Sequence, residues 1–147
     1  MTINIFRNAP SGGDGHTKGK KAEFYASFLR SEGFAPEVDK DGDVRFKAEG
    51  GTYVLFAHEA DPEYFFLLFP NFWPIESEAE RRRAFEAACH ATATTKVAKV
   101  YPLGDNVSAS VEMLFMDPEQ CKPVFKRALA MLKGSVAMFV DKMREMG

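Results

Sequence analysis

Cysteine is scarce in this sequence: Cys89 and Cys121 are the only two in 147 residues. They follow no paired motif and suggest reduced thiols in a reducing compartment; whether the two can pair is a question of geometry. Positive charge is not in excess either. With 19 basic and 21 acidic residues the formal net charge is -2, so no electrostatic drive toward nucleic acid or an anionic membrane is present. Long apolar runs are missing. The longest, YFFLLFP at residues 64–70, falls far short of the ~20 residues of a spanning helix. The opening MTINIF has no basic n-region and is followed by polar residues, so no signal peptide is read and a cytoplasmic location is expected.

Catalytic signatures are also lacking. The stretch SGGDGHTKGKK at residues 11–21 imitates a phosphate-binding loop, but a Walker A loop needs G-x-x-x-x-G-K-[ST]. Counted back from Gly19-Lys20, the first glycine position holds Asp14, and the position after Lys20 holds Lys21 instead of Ser or Thr. DKDGD spaces Asp39, Asp41 and Asp43 like a calcium loop, yet Val44 stands at the required glycine and Gly50 at the closing glutamate; a turn around Asp41-Gly42 is expected there. His58, His90, Cys89 and Cys121 form no zinc motif, and both cysteines are expected on apolar helix stripes. No G-x-S-x-G elbow exists, and nothing local supports a Cys-His pair with His16, His58 or His90. No catalytic residue, metal or cofactor is therefore expected.

What the chain does have is phenylalanine, 14 of them, and clear periodicity. Residues 1–16 are expected to be a flexible arm with a brief apolar patch, Ile3-Asn4-Ile5-Phe6; residues 17–147 are expected to form one domain. A first helix is expected over 17–32, with Phe24, Tyr25, Phe28 and Leu29 on one stripe and Gly33-Phe34 completing a Schellman ending. VRFKAE alternates as a half-buried strand, Gly50-Gly51 suits a two-residue hairpin turn, and TYVLFAH returns. YFFLLF is apolar on both faces, as a strand covered on both sides would be. PNFWPIE then reads as a proline-braced loop. Ser77 and Glu80 make an S-x-x-E box for a second helix, with Phe85, Ala88 and Cys89 as its apolar stripe and Glu78–Arg82 as an i,i+4 pair. KVAKVYPL and VSASVEMLFM follow as strands around the turn GDN; the second sets Val107, Ala109, Val111, Met113 and Phe115 against Ser108, Ser110 and Glu112. Asp117, Pro118 and Gln120 cap a final amphipathic helix. Unbroken to residue 145, it would span roughly 40 Å and project toward a partner, with Gly134 as a place to kink. Segregated strands and helices, in the order α-β-β-β-(β)-α-β-β-α, predict an α+β fold of antiparallel sheet and helices.

Three stretches carry a resemblance. FLRSEGFAPEVDKDGDVRFKAEGGTYVLF, YFFLLFPNFW and ATTKVAKVYPLGDNVSASVEMLF resemble the YbjN-like family of bacterial proteins over residues 24–139. That family is similar in fold to the type III secretion chaperones. The resemblance implies a sheet with helices and a partner-binding or regulatory role, with no reaction to carry over. It also implies a homodimer, since those chaperones often pair. The family often has an asparagine before the KVAKV-type strand. Here the stretch reads His90-Ala91-Thr92-Ala93-Thr94, so a family site built on that asparagine would be missing.

The candidate contact residues are apolar. Phe69, Phe72 and Trp73 surround the proline-braced segment, and Met138 and Met143 lie on the final helix with Met131 and Met146. Each set is either core packing or a protein-binding surface. The expected function is a non-enzymatic protein-binding or regulatory module, acting through a sheet face or the last helix. The alternative is a small-ligand sensor with a pocket lined by phenylalanines.

Overall fold

The computed structural model describes residues 19–147. The arm expected over residues 1–16, and most of the glycine-rich stretch 11–21, lie outside them. In chain order the elements are α1 (Lys20–Ser31), β1 (Glu37–Val38), β2 (Val44–Ala48), β3 (Gly51–Leu55), β4 (Tyr64–Pro74), α2 (Glu78–Thr94), β5 (Ala98–Leu103), β6 (Asn106–Leu114), a 3₁₀ segment (Pro118–Val124) and α3 (Phe125–Met146). This is the α+β order that the periodicity predicts. The strands make one antiparallel sheet in the order β1-β2-β3-β4-β6-β5.

Local stop signals act as expected. At the end of α1, the Phe34 N–H donates to the Leu29 carbonyl at 2.9 Å and the Gly33 N–H to the Arg30 carbonyl at 3.1 Å, with Gly33 at φ 92°. Those two bonds are the Schellman pattern, and the positive φ explains the glycine. Between β1 and β2, Asp39 Oδ1 accepts from the N–H groups of Asp41 and Asp43 at 2.9 and 3.0 Å, so the DKDGD carboxylate braces a turn.

Several expectations are corrected. The β2–β3 hairpin turns on Glu49-Gly50, at φ 48° and 84°, and not on Gly50-Gly51. Two positive φ values make the turn whose twist suits a hairpin. Gly51 belongs to the strand instead, where a Cβ would come within 3.0 Å of the Phe69 ring.

The PNFWP segment is not a loop. β4 continues through it to Pro74 and pairs with β6 on both sides of an irregularity: Phe69 faces Ala109, and Trp73 faces Val107. Asn71 takes φ 52° at that bulge and donates its N–H to Ser108 Oγ at 3.0 Å. Pro70 and Pro74 cost little here because β3 pairs with β4 only at Leu67 and Leu68.

The inward stripe of α2 is Ala84, Ala87, Ala88 and Ala91. Phe85 is 57% exposed and Cys89 is exposed, both on the outer side. Small side chains let α2 approach α3 closely, which a phenylalanine stripe would forbid. Glu78 pairs with Arg81 at 3.3 Å and not with Arg82.

The last helix is not unbroken from Pro118. Asp117 and Gln120 do form the capping box, but the segment they open is 3₁₀ and contains Pro123. Proline disfavours α geometry in the residue before it and cannot donate its own hydrogen bond, so α3 begins at Phe125. Its 22 residues span about 33 Å and run through Gly134 without interruption. The far end does not project, because Met143 in the last turn is only 4% exposed.

All three helices pack on one sheet face. Tyr25 and Leu29 from α1, Ala84 and Ala88 from α2, and Leu132 and Phe139 from α3 share one core with Phe46, Leu55, Phe65, Leu67 and Val111 of the sheet. Ring contacts continue along it, from Phe34 to Phe46, Tyr53, Phe69, Phe72 and Phe139.

Candidate functional site

The opposite sheet face carries its own cluster. Strand alternation sends Phe65 and Leu67 to the helices, so Phe66 and Leu68 must point the other way. They join Val54 and Phe56 of the neighbouring strand, with Tyr64 and Tyr101 packed beside them. No helical residue belongs to this group. The Phe56 and Phe66 rings stack at 4.6 Å, and the His58 ring lies at 5.9 Å from Phe56 and at 5.9 Å from Tyr64.

One side of this apolar centre is polar. Register places Leu68 opposite Ser110, Ser110 opposite Lys99, and Phe66 opposite Glu112. Glu112 gathers three donors: Tyr64 Oη–H, Ser110 Oγ–H at 2.9 Å and Lys99 Nζ at 2.8 Å. Burial pushes the Glu112 carboxyl up, but those donors, Lys99 first, outweigh burial and hold it below its ordinary 4.5. Burial raises the Tyr64 phenol well above its ordinary value, and the carboxylate it donates to raises it further. Leu114, 72% exposed, extends the apolar area at the rim beside Tyr64. The four central side chains are themselves buried, at 5%, 8%, 1% and 2% exposed, so the exposed apolar part of this face is its Leu114 rim.

The residues singled out from the sequence lie elsewhere. Phe69, Phe72, Trp73 and Met138 are partly buried against the helix-side core, and Met143 is inside it. Trp73 packs edge-on to Phe139 at 5.6 Å and donates Nε1–H to Glu80 Oε1 at 3.1 Å. The Ser77 hydroxyl accepts from the Glu80 N–H as expected, but the returning bond of Glu80 goes to the Glu76 N–H at 2.8 Å. Trp73 thus cements the entry to α2.

Lys21, the last lysine of the glycine-rich stretch, is also structural. Its Nζ donates to the carbonyls of Asp61 and Tyr64 at 3.1 and 2.6 Å. Burial lowers its pKa, against the raising effect of Asp61 and Glu59. Cys89 and Cys121 are both free thiols, the first exposed and the second buried. Among the described residues, no three His, Cys, Asp or Glu side chains come together in a way that would hold a metal ion. No helix among them is long and apolar enough to cross a membrane.

Sequence reasoning missed Val54, Phe56, Tyr64, Lys99, Tyr101 and Glu112 as a group. The signal was present in two halves: YFFLLF apolar on both faces, and Ser108, Ser110 and Glu112 on one side of β6. Only the strand order joins them. Comparison with protein-family models and with curated proteins finds no match to this chain.

Proposed function

We propose that this chain is a non-enzymatic protein-binding module, and that the sheet face opposite the helices is its contact surface. The occupant is a short extended segment of a partner protein with apolar side chains in alternation, which would set them along the Leu114 rim beside Tyr64. One observation carries this reading: beside a second apolar cluster, on the side away from every described helix, Leu114 stands 72% exposed next to Tyr64, with Glu112 and Lys99 as the polar margin. The core phenylalanines Phe34, Phe46 and Phe125 support it over the sensor alternative, because their rings pack on one another. A regulatory role in a bacterial cytoplasm and the YbjN-like resemblance belong to the same proposal, as does a homodimer using this face.

The test is selection of binders from a display library of ten-residue segments by the full chain. Selected segments are then titrated against Leu114→Asp and Leu114→Lys, two changes at an exposed rim residue that leave the core intact. The expectation is alternating apolar segments whose affinity drops about tenfold or more in the variants, at unchanged thermal midpoint. Segments that bind both variants as well as the wild type, or no selected segment at all, would sink the reading. Sedimentation of wild type beside the variants shows whether a second copy is the occupant.

A further inference from the structure

The ladder between β4 and β6 runs past the end of β5. β4 pairs with β6 down to Tyr64, opposite Leu114, and the Phe115 N–H still donates to the Glu63 carbonyl at 2.8 Å. β5 reaches only Ala98, opposite Val111. Antiparallel pairing alternates, so the bond at Phe115 fixes which residues face β4. Phe115 and Met113 turn their N–H and C=O groups toward β4. Glu112 and Leu114 turn theirs to the side that β5 does not reach. Among the described residues no strand pairs with those four groups.

The chain itself leaves that place vacant. Val97 would continue β5 opposite Glu112, but it takes φ 56°, where a β-branched side chain is rarely found, and the ladder stops there. The outer edge of β5 is treated differently. Val100 turns its main chain outward, and Thr92 Oγ1 accepts from its N–H at 2.9 Å and donates to its carbonyl at 3.3 Å. Pro102, two residues on, has no N–H to offer. One edge is thus covered, while the end of β6 keeps free main-chain groups beside the exposed Leu114, Val97 and Met116.

We propose that the end of β6 is a strand-addition site, where the partner segment pairs its main chain with Glu112 and Leu114 in the line of β5, antiparallel to β6. This rests on the binding reading above and names how the segment is held. One segment residue falls opposite Leu114 and another, two residues on, opposite Glu112. Both exchange N–H and C=O bonds with β6, so neither can be proline; the residue between them turns its N–H away and can be. An apolar side chain suits the first place, with the apolar alternation continuing toward Met116. Glu112 already accepts from Tyr64, Ser110 and Lys99, and a carboxylate offers about four acceptor positions, so a Ser or Thr hydroxyl suits the second. A second copy of this chain fits less well. Two β6 ends paired about Met113 would set a carboxylate against a leucine twice.

The experiment has two readouts on the full chain. The first is amide hydrogen exchange followed residue by residue. In the free protein Glu112 and Leu114 should be protected at least about tenfold less than Met113 and Ser110, and a saturating selected segment should slow both about tenfold or more. Protection equal to that of Met113 in the free chain, or no slowing on binding, overturns the proposal. The second is a scan of the segment with one N-methyl amide at a time. Two sensitive positions with a tolerant one between them are expected, each losing about tenfold or more in affinity. A scan without that alternation overturns the strand pairing and leaves the binding reading standing. No selected segment removes the binding reading, and the proposal with it. A free chain that sediments as a dimer with Glu112 and Leu114 protected makes a second copy the occupant and overturns the segment.

Discussion

Glu112 shows how one side chain ties a face together. Its carboxylate accepts from β4 through Tyr64, from its own strand through Ser110 and from β5 through Lys99. Replacing it by Gln removes the charge that all three donors serve, at a cost of about 1–3 kcal/mol near pH 7. The sign of the pH effect follows from the lowered pKa. A carboxyl held below its ordinary 4.5 stabilises the fold above that value and loses the contribution as pH falls through its folded value. The stability gap between wild type and Glu112→Gln, read from urea transitions, should therefore begin to narrow as pH falls to the ordinary 4.5 and go on narrowing below it. A gap that persists in acid would show that charge is not the cause. The cysteines divide as sharply. Cys89 is exposed, while Cys121 is buried and its thiol is pushed up to about 11 by burial. A thiol reagent should titrate one cysteine in the native protein and the second only in denaturant.

At the scale of elements, side-chain size decides the packing. Gly51 leaves space for the Phe69 ring, which stacks on Tyr53 at 4.8 Å. Gly51→Ala would force backbone or both rings to give way, and a loss of about 1–3 kcal/mol is expected from the denaturation midpoint. Gly51 has no positive φ, so the penalty would be one of space and not of backbone conformation. On α2 the alanines are the tight side. Ala87→Leu should destabilise by a similar 1–3 kcal/mol or more, whereas Phe85→Ser on the outer side should stay within about 0.5 kcal/mol. The reverse order in thermal melts would mean that α2 packs through its phenylalanine after all. The sequence pattern favours that wrong stripe because hydrophobicity ranks Phe85 and Cys89 above alanine; distance to α3 ranks them the other way.

Across the whole molecule, Phe139 joins the far end of the longest strand to the last helix. Its ring meets Phe72 at 5.4 Å and Trp73 at 5.6 Å, and it is fully buried. Phe139→Ala should cost about 3–5 kcal/mol and leave a cavity beside the only tryptophan. Native emission of Trp73 should then shift to the red relative to wild type; an unchanged spectrum with unchanged stability would contradict this packing. Phe69, Phe72 and Trp73 are tied into the helix-side core, which is why the contact surface we propose is on the other sheet face. Its two halves come from strands that are neighbours in space but separated in sequence by α2.

The sequence by itself determined what local forces decide. The Gly33 ending of α1, the Asp39 turn, the Ser77 and Asp117 caps and the alternation of β2 and β6 each depend on residues within about five positions, so the chain states them directly. The α+β order followed from the same signals. Tertiary structure decided what depends on partners far along the chain. Pairing with β6 carried β4 through its prolines to Pro74, where local propensity predicts a loop. The approach of α3 chose the alanine face of α2. The register of β4, β6 and β5 brought Tyr64, Ser110, Glu112 and Lys99 together beside Phe66 and Leu68. A one-residue slip would turn every one of these side chains to the other face. That register is set by long-range hydrogen bonds and burial, which no short stretch of sequence contains.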